Sequence, residues 1–358
     1  MKHLGIIITL LLFCFSAEAN EWGYGIEGQV KGLYGYSSTK QHNHGVGRGR
    51  IDSYISYTFN EQRELSLHFD LMGGINQELQ DYNQGRWGEE AYFIYDDVAL
   101  GQIMLGQVYN VASLFHNGVS YTGAFSSNSD IVDFLHNPNW RRTSKETVFA
   151  TLNSTDINTD GVAPKINYIS PEIYGTAVGF SYIPDSYNRR GLISNQASFA
   201  HKDGFVGAIY NDHDWGLFST QSSVAYADYH DNDKEFSLSL NIRRGNWNLG
   251  GGFRKTYIDG ENKSRAKKDL PADFDGYREG KAWNIGLGYE IGPFSSNISY
   301  FESKASNTDN KNKIFAFSNQ YSLNENIDIY MAAAYIDYSC NDVDDTGYAF
   351  VTGIGVNF

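Results

Sequence analysis

Apolar and polar side chains alternate with a period of two residues through most of this 358-residue chain. In residues 48–59, one set of alternate positions is mainly polar and includes Arg48, Arg50 and Asp52, while the other set is mainly apolar and ends at Phe59. Successive side chains of a β-strand point to opposite faces of the sheet, so such a segment forms a strand with one polar and one apolar wall. The pattern predicts an all-β protein.

Similar segments recur along the chain and are divided by turn signals. Sixteen strands are predicted near residues 22–36, 46–59, 64–75, 87–96, 101–109, 164–170, 174–183, 205–213, 217–229, 235–244, 247–258, 281–291, 294–304, 313–322, 327–338 and 347–358. An additional strand at 192–202 would make the number odd, so that segment is predicted to be a loop.

Short and long connections alternate between these strands. The short ones are predicted at 60–63, 97–101, 171–173, 213–216, 245–246, 292–293 and 323–326, and longer polar stretches lie between them. A soluble β-sandwich shares the abundance of Gly, Tyr and Phe. The alternation instead favours a transmembrane antiparallel β-barrel, with turns on one side of the membrane and loops on the other.

The first residues have the pattern of a secretory signal peptide. A basic start precedes an apolar stretch from Leu4 to Phe15 and a small-residue site ending at Ala19. We therefore expect residues 1–19 to be removed and residues 20–358 to form the barrel. Cys14 would leave with the signal, so Cys340 would have no partner for an intramolecular disulfide.

The last segment alternates as strongly as any other and ends on an aromatic residue, Phe358. It resembles the terminal strand of bacterial outer-membrane proteins, and the resemblance implies that Phe358 is an assembly signal read by the barrel-assembly machinery. Together with the signal peptide, this predicts a location in the Gram-negative outer membrane.

The net charge is -14, and residues 1–19 carry one Lys and one Glu, so their removal leaves it at -14. This acidity argues against a nucleic-acid partner.

The predicted polar wall must point into the barrel, because charged side chains facing lipid near the midplane cost roughly 2 to 4 kcal/mol each. Eight strands leave a lumen filled with side chains, whereas sixteen to eighteen leave an aqueous channel. The predicted strand number therefore indicates a water-filled channel for ions and small hydrophilic solutes.

One connection, at about 110–163, exceeds fifty residues and is rich in Phe, Val, Ile and Tyr. We expect it to pack against another part of the protein rather than to be disordered.

The whole predicted mature chain resembles the Gram-negative general diffusion porins, which are sixteen-stranded and trimeric. The residues that carry the resemblance are 105–109 (LGQVY), 164–184 (PKINYISPEIYGTAVGFSYIP) and Phe358. The resemblance implies that the third loop, 110–163, folds into the lumen and narrows it opposite a basic cluster. A Pro-Glu-Phe-Gly-type loop tip found in better-known members is missing from this sequence.

The resemblance also implies particular constriction residues and partners. Asp130 and Asp133 would form the acidic side and Arg48 and Arg50 the basic side; further constriction candidates nearby are Lys31, His68 and Asp70. All of these could instead be ordinary solvated lumen residues. The expected partners are outer-membrane lipid and lipopolysaccharide, and two further copies of the chain in a homotrimer. Small and apolar residues suited to the trimer contact are Gly28, Val30, Gly32, Ile354 and Val356.

Parts of the sequence are also compatible with three other kinds of function. An outer-membrane enzyme is disfavoured, because the segment 118–123 (GVSYTG) departs from the spacing of a nucleophile elbow. His42 and His44, and the acidic stretches 228–233 and 342–345, are weak signals of a metal site. We interpret these segments as solvated external loops, so no metal or cofactor is expected. A substrate-specific channel, for example one selective for sugars, or an adhesin is the stronger alternative. The predicted inner faces, mostly Ser, Asn, Gln, Gly and charged residues, favour general diffusion with a mild preference for cations.

Overall fold

The computed structural model describes residues 22–38, 42–76, 90–119, 151–152, 154–185, 202–229, 233–257, 279–306, 310–340 and 343–358. The strands are β1 (Trp22–Ser37), β2 (His42–Asn60), β3 (Arg63–Asn76), β4 (Glu90–Asp97), β5 (Gly101–Gln107), β6 (Pro164–Ile169), β7 (Thr176–Asp185), β8 (Lys202–Asp214), β9 (Ser219–Asp228), β10 (Lys234–Arg244), β11 (Trp247–Tyr257), β12 (Gly280–Ile291), β13 (Phe294–Ala305), β14 (Lys311–Ser322), β15 (Ile327–Cys340) and β16 (Val343–Asn357). A short helix, α1 (Val111–Phe115), follows β5. None of the described helical residues belongs to a helix long and apolar enough to cross a membrane.

The strands form one closed antiparallel barrel in which each strand pairs with its sequence neighbours and β1 pairs with β16. The predicted sixteen-stranded barrel is therefore confirmed. β7 pairs directly with β8, so no strand lies between them in the sheet. Residues 186–201, which include most of the segment 192–202, lie outside the described part of the chain, as do residues 1–19.

The seam between β1 and β16 is closed by the last residue of the chain. Phe358 and Gly28 exchange two backbone hydrogen bonds of 2.8 and 2.9 Å. The ring of Phe358 lies over Gly28, so that a Cβ atom added at Gly28 would approach the ring Cζ to 2.3 Å. A glycine at this position is therefore what allows the terminal ring to lie flat on the barrel surface.

The seven connections predicted to be short all lie at one end of the barrel. Two of them are two-residue hairpin turns that begin at Gly245 and Gly292, both with a φ of 55°. A positive φ at this position suits glycine, which has no side chain to clash. Because short turns lie on the periplasmic side of such barrels, the long connections are at the external end.

The two faces of the barrel differ in exposure. Along β12 every second side chain is exposed, and the exposed set includes Trp283, Ile285 and Leu287. The alternate set, which includes Asn284 and Gly286, is buried and points inward. The outer face is thus an apolar band, as expected of strands that contact lipid.

Part of the inner wall is more apolar than the sequence pattern predicted. A buried cluster on the inner faces of β13 to β16 and of β1 and β2 contains Phe301, Ile314, Tyr330, Ile336, Val351, Leu33 and Val46. Leu152, from the connection between β5 and β6, also belongs to this cluster. The predicted inner faces, mostly polar and charged, do not describe this side of the barrel, where apolar inner residues are covered rather than solvated.

Candidate pore and constriction

Both described ends of the connection between β5 and β6 pack on the inner wall. Helix α1 begins after Asn110, whose side chain accepts a hydrogen bond from the Ser113 amide at 3.0 Å. The Val111 amide donates to the inward Ser181 hydroxyl of β7 at 2.9 Å. The side chains of Val111 and Phe115 are buried against β7, β8 and β9.

The two ends of the connection are joined by a buried ion pair. Lys165 at the start of β6 contacts Asp160 at 2.6 Å, and both side chains are fully buried. Lys165 Nζ also donates to the carbonyls of Val108 and Gly161, each at 2.6 Å, and Asn110 donates to Asp160 at 2.5 Å. A buried charge pair is stable only when its remaining hydrogen-bonding capacity is satisfied, which these carbonyls achieve.

A second buried cation holds the returning half of the connection. Arg254 of β11 is 1% exposed and pairs with Glu235 of β10 at 2.7 Å. Its other guanidinium hydrogens are donated to Ser154 at 3.2 Å, Asn158 at 3.0 Å and Thr159 at 2.6 Å. Arg254 therefore ties residues 154–159 to the barrel wall.

Neutral polar contacts extend this attachment across β10, β12 and β13. Asn284 donates to Thr155 at 3.1 Å, and Ser303 donates to Thr151 at 2.7 Å. The Asn117 amide donates to Ser239 at 3.1 Å. These hydrogen bonds span more than 100 residues of sequence.

Three inward glycines make space for the connection. An added Cβ would lie 2.8 Å from Val111 Cβ at Gly179, 2.7 Å from Thr155 Oγ1 at Gly252, and 2.4 Å from Val119 Cγ1 at Gly286. At these positions the wall and the connection are too close for a larger residue.

His116 lies between the connection and the wall. Its Nε2 is 2.9 Å from Thr155 Oγ1. Burial lowers the pKa of His116, and the positive charge of Arg254 lowers it further, while Asp156 opposes both effects. The imidazole is therefore held in its neutral form.

The inner wall of β1 to β4 lies outside these hydrogen-bonded contacts, and only its external end, at Leu33 and Val46, belongs to the buried apolar cluster that includes Leu152. The side chains of Arg50 and Asp52 are 51% and 47% exposed, whereas Ser239 and Arg254 on the covered wall are 3% and 1% exposed. Around Arg50 and Asp52, the wall formed by β1 to β4 is thus accessible to water, and we call it the accessible wall.

Most of the predicted constriction residues lie on this accessible wall. Lys31 of β1 is directly opposite Arg48 of β2. Arg50 contacts the buried Asp70 of β3 at 2.7 Å and Asp52 at 3.1 Å. The sheet register thus brings Lys31, Arg48, Arg50 and Asp70 together, although Arg50 is neutralised by two carboxylates rather than being part of a purely basic cluster.

His68 lies on β3 two residues before Asp70, in a stack of three aromatic rings. Its ring lies between those of Tyr54 and Tyr92, with centroid distances of 5.6 and 5.2 Å and interplanar angles of 21° and 10°. The Ser66 hydroxyl lies 2.8 Å from His68 Nε2.

Acidic groups outnumber basic groups on the accessible wall. The inward charged residues of β1 to β4 with described side chains are the carboxylates Glu27, Asp52, Glu64, Asp70, Glu90 and Asp96 and the bases Lys31, Arg48 and Arg50. Six negative charges against three positive charges give this wall a net charge of -3 when His68 is neutral.

Asp130 and Asp133 lie outside the described residues, so their place relative to Arg48 and Arg50 stays a prediction. The sequence interpretation missed the anchors Arg254, Glu235, Lys165 and Asp160. A charged residue in an inward position, two residues after the run of three glycines at 250–252, was the available signal for Arg254. Within the described part of the chain, no three His, Cys, Asp or Glu side chains form a group that could hold a metal ion.

Comparison with solved structures shows the same fold. The anion-selective porin of Comamonas acidovorans is 14% identical, with a TM-score of 0.60 over 94% of this chain and 100% of that one. Salmonella typhi OmpF, in complex with daunomycin, is 13% identical, with a TM-score of 0.64 over 94% of this chain and 97% of that one. Outer-membrane expressed OmpT of Vibrio cholerae is 10% identical, with a TM-score of 0.60 over 96% of this chain and 99% of that one.

Comparison with curated proteins gave no significant match to the sequence. A family model does match, and it covers residues 7–341, which is most of the chain. The model describes Gram-negative porins. The sixteen-stranded barrel, its inward loop ends and this match lead to one conclusion: the chain belongs to the Gram-negative porin family.

Proposed function

We propose that ions and small hydrophilic solutes diffuse through this outer-membrane channel along the wall formed by β1 to β4, opposite the loop attached to β6 to β13. The chain is an outer-membrane porin and thus a passive channel rather than an enzyme. The observation that carries the proposed path is the contrast in exposure between the two walls, with Arg50 half exposed and Arg254 buried.

The constriction lies where Arg48 and Arg50 face the loop. Asp130 and Asp133 supply the acidic side, so that opposed charges set up a transverse field across the narrowest part of the lumen. Support for this arrangement comes from the two described loop ends, which are anchored on the wall away from β2. The excess of carboxylates on the accessible wall gives the channel a mild preference for cations.

Single-channel recording in planar bilayers tests this function. Discrete conductance steps, and a reversal potential in a KCl gradient of the sign for cation preference, are expected. Absence of conductance would refute an open pore, and a reversal potential of opposite sign would refute the selectivity. Two matched variants locate the carboxylates that set the selectivity. Asp52 lies in the lumen, so Asp52→Asn should reduce the cation preference. Asp97 pairs with Arg63 at the short-turn end, so Asp97→Asn should leave the cation preference unchanged.

A sugar-selective channel is the second candidate, and the stack of Tyr54, His68 and Tyr92 is the observation that favours it. Aromatic rings beside Arg50 and Asp52 combine apolar contact with hydrogen-bonding groups, as carbohydrate recognition requires. Titration of a panel of mono- and oligosaccharides into the recording chamber distinguishes the two functions. General diffusion predicts that no sugar class blocks the current at millimolar concentration, whereas saturable block by one class would establish a selective channel.

The assembled form we propose is a homotrimer joined through the outer faces of β1 and β16. The residues expected there are small or exposed and apolar: Gly28, Val30, Gly32, Ile354 and Val356, with Val30 opposite Val356 and Gly32 opposite Ile354. Phe358 serves as the signal for the barrel-assembly machinery, and outer-leaflet lipid and lipopolysaccharide surround the barrel. Light scattering in detergent tests the trimer: a Val30→Arg variant should be monomeric, and a monomeric wild-type protein would contradict the assembly.

A further inference from the structure

A niche lies inside the barrel between helix α1 and the short-turn end. Its wall is the inner face of β4 to β8, and its roof is formed by α1 and the residues that follow it. The volume of the niche is about 480 Å³, which is in the range of small-molecule sites. Because it opens to the lumen on the periplasmic side of the loop, we call it the periplasmic niche.

The roof and the wall of the niche present apolar surface to the lumen. In α1 the side chain of Leu114 is 41% exposed, whereas that of Phe115 is 8% exposed. The Phe115 ring packs on the ring of Tyr210 of β8, with a centroid distance of 5.5 Å. Ile169 of β6 and Ala177 of β7 complete the apolar lining. A ligand in the niche would therefore bury an apolar group.

The protein holds these aromatic groups in place without a ligand. The Tyr210 hydroxyl donates to Asp212 at 3.3 Å, and Gln221 donates to the same carboxylate at 2.9 Å. Gly179 gives space to the Phe115 ring, since an added Cβ would lie 3.0 Å from the ring Cε2. A site that is formed in advance loses less conformational entropy when it binds a ligand.

The charged groups that line the niche are all acidic. They are Asp96 and Asp97 at the end of β4 and Glu172 in the turn between β6 and β7. Asp97 pairs with Arg63 at 2.7 Å, whereas Asp96 and Glu172 are exposed. None of the described residues that line the niche is Lys, Arg or His. A cleft lined by charges of one sign concentrates the opposite charge, so the niche attracts cations.

We infer that the periplasmic niche binds an organic cation with an apolar body, such as a quaternary ammonium attached to an aromatic ring. The ammonium group would lie near the carboxylates of Asp96 and Glu172, and the ring of Tyr210 adds a cation–π attraction. The apolar body would contact Leu114 and Ile169. An inorganic cation has no apolar part and gains only the contact with the carboxylates, so the niche distinguishes cations by their apolar body.

The test uses the folded protein in zwitterionic detergent and measures the binding of benzyltrimethylammonium by isothermal titration calorimetry. The Asp96→Asn/Glu172→Gln double variant should bind roughly tenfold more weakly than the wild type, because both carboxylate charges are lost. Leu114→Ser keeps both carboxylates and should also weaken binding roughly tenfold, because apolar contact is lost.

Glu325→Gln is the matched control for the double variant. It removes an exposed carboxylate from the short turn between β14 and β15, away from the niche, and should leave the affinity at the wild-type value. Heat-modifiable electrophoretic migration confirms that each variant is folded. Because binding is measured without transport, the result does not depend on the proposed path of solutes through the channel.

Two further probes separate the charge of the ligand from its apolar body. Benzenesulfonate, which carries a negative charge on the same ring, should not bind, and tetramethylammonium, which lacks the ring, should bind much more weakly than benzyltrimethylammonium. Unchanged affinity in the double variant, an equal loss in Glu325→Gln, or equal binding of benzenesulfonate would overturn the inference. Equally tight binding of tetramethylammonium would reduce the niche to a counter-ion site and would also overturn it.

Discussion

At the scale of single residues, the ion pairs of Arg50 with Asp52 and Asp70 largely determine the charge of the accessible wall. Arg50 neutralises the buried Asp70 and the exposed Asp52 together. Replacing Arg50 with Gln removes one positive charge from the lumen and leaves Asp70 without this partner. We expect stronger cation preference, measured as a larger reversal potential in a KCl gradient, and a loss of about 1 to 3 kcal/mol in stability.

Arg63→Gln is a closely matched control for this prediction. Arg63 pairs with Asp97 at 2.7 Å, the same distance as the pair of Arg50 with Asp70, and the two arginine side chains are 53% and 51% exposed. Arg63 points outward at the short-turn end, so its loss should leave the reversal potential unchanged. An equal shift in both variants would show that Arg50 does not act in the pore.

A second residue-scale prediction concerns the seam. Gly28→Val should displace the ring of Phe358 from the surface of β1, because the added Cβ atom meets the ring at 2.3 Å. The cost is that of overpacking, about 1 to 3 kcal/mol, and should appear as a lower temperature for heat-modifiable migration. At Gly32 an added Cβ meets no atom within 4 Å, so Gly32→Ala should unfold at the wild-type temperature. Equal temperatures for both variants would contradict the packing of Phe358.

At the scale of elements, the loop between β5 and β6 depends on the barrel wall for its position. Arg254→Gln would break the buried pair with Glu235 and shorten the reach to Thr159. Breaking such a pair costs about 3 to 5 kcal/mol, and we expect a noisier open channel and new proteolytic cleavage within residues 151–163. Arg243→Gln, which loses only an exposed 3.9 Å contact with Glu290, should show neither change. A quiet, protease-resistant Arg254→Gln channel would show that the loop is held elsewhere.

The same loop should respond to acid through His116. Because the pKa of His116 is lowered in the folded protein, the neutral form is favoured, and the stabilisation is complete above the unfolded pKa of about 6.5. It is lost progressively as the pH falls below that value. Channel noise should therefore increase between pH 7 and pH 5, and His116→Gln should remove much of this increase. A pH dependence that is identical in the two proteins would exclude His116 as its source.

The strands could be predicted from the sequence because a period of two residues is a local signal, and their bounds in β11 and β13 differ from the prediction by one residue. The attachment of the loop to the barrel wall could not be predicted from the sequence. Arg254 and Ser154 are 100 residues apart, and no short pattern connects them. The apolar inner cluster could not be predicted for a similar reason, since the alternation around Ile314 does not show that Leu152, from a distant connection, belongs to the same cluster.

At the scale of the whole molecule, one wall of the barrel holds the loop and another lines the proposed path for solutes. The wall of β6 to β13 holds a loop through buried charges and inward glycines such as Gly252. The wall of β1 to β4 remains open to water and carries Lys31, Arg48 and Arg50. Sixteen strands give a lumen wide enough for both the attached loop and a water-filled path, whereas a barrel of about eight strands would be filled by its own side chains.

Substituted cysteines test this division most directly, in a Cys340→Ser background that removes the remaining thiol of the predicted mature chain. A charged, bulky methanethiosulfonate reagent is applied during single-channel recording to Asp52→Cys on the accessible wall and to Ser239→Cys on the covered wall. The account predicts a rapid, stepwise fall in conductance for Asp52→Cys and no change for Ser239→Cys. Equal sensitivity at Ser239, or no effect at Asp52, would contradict the proposed path.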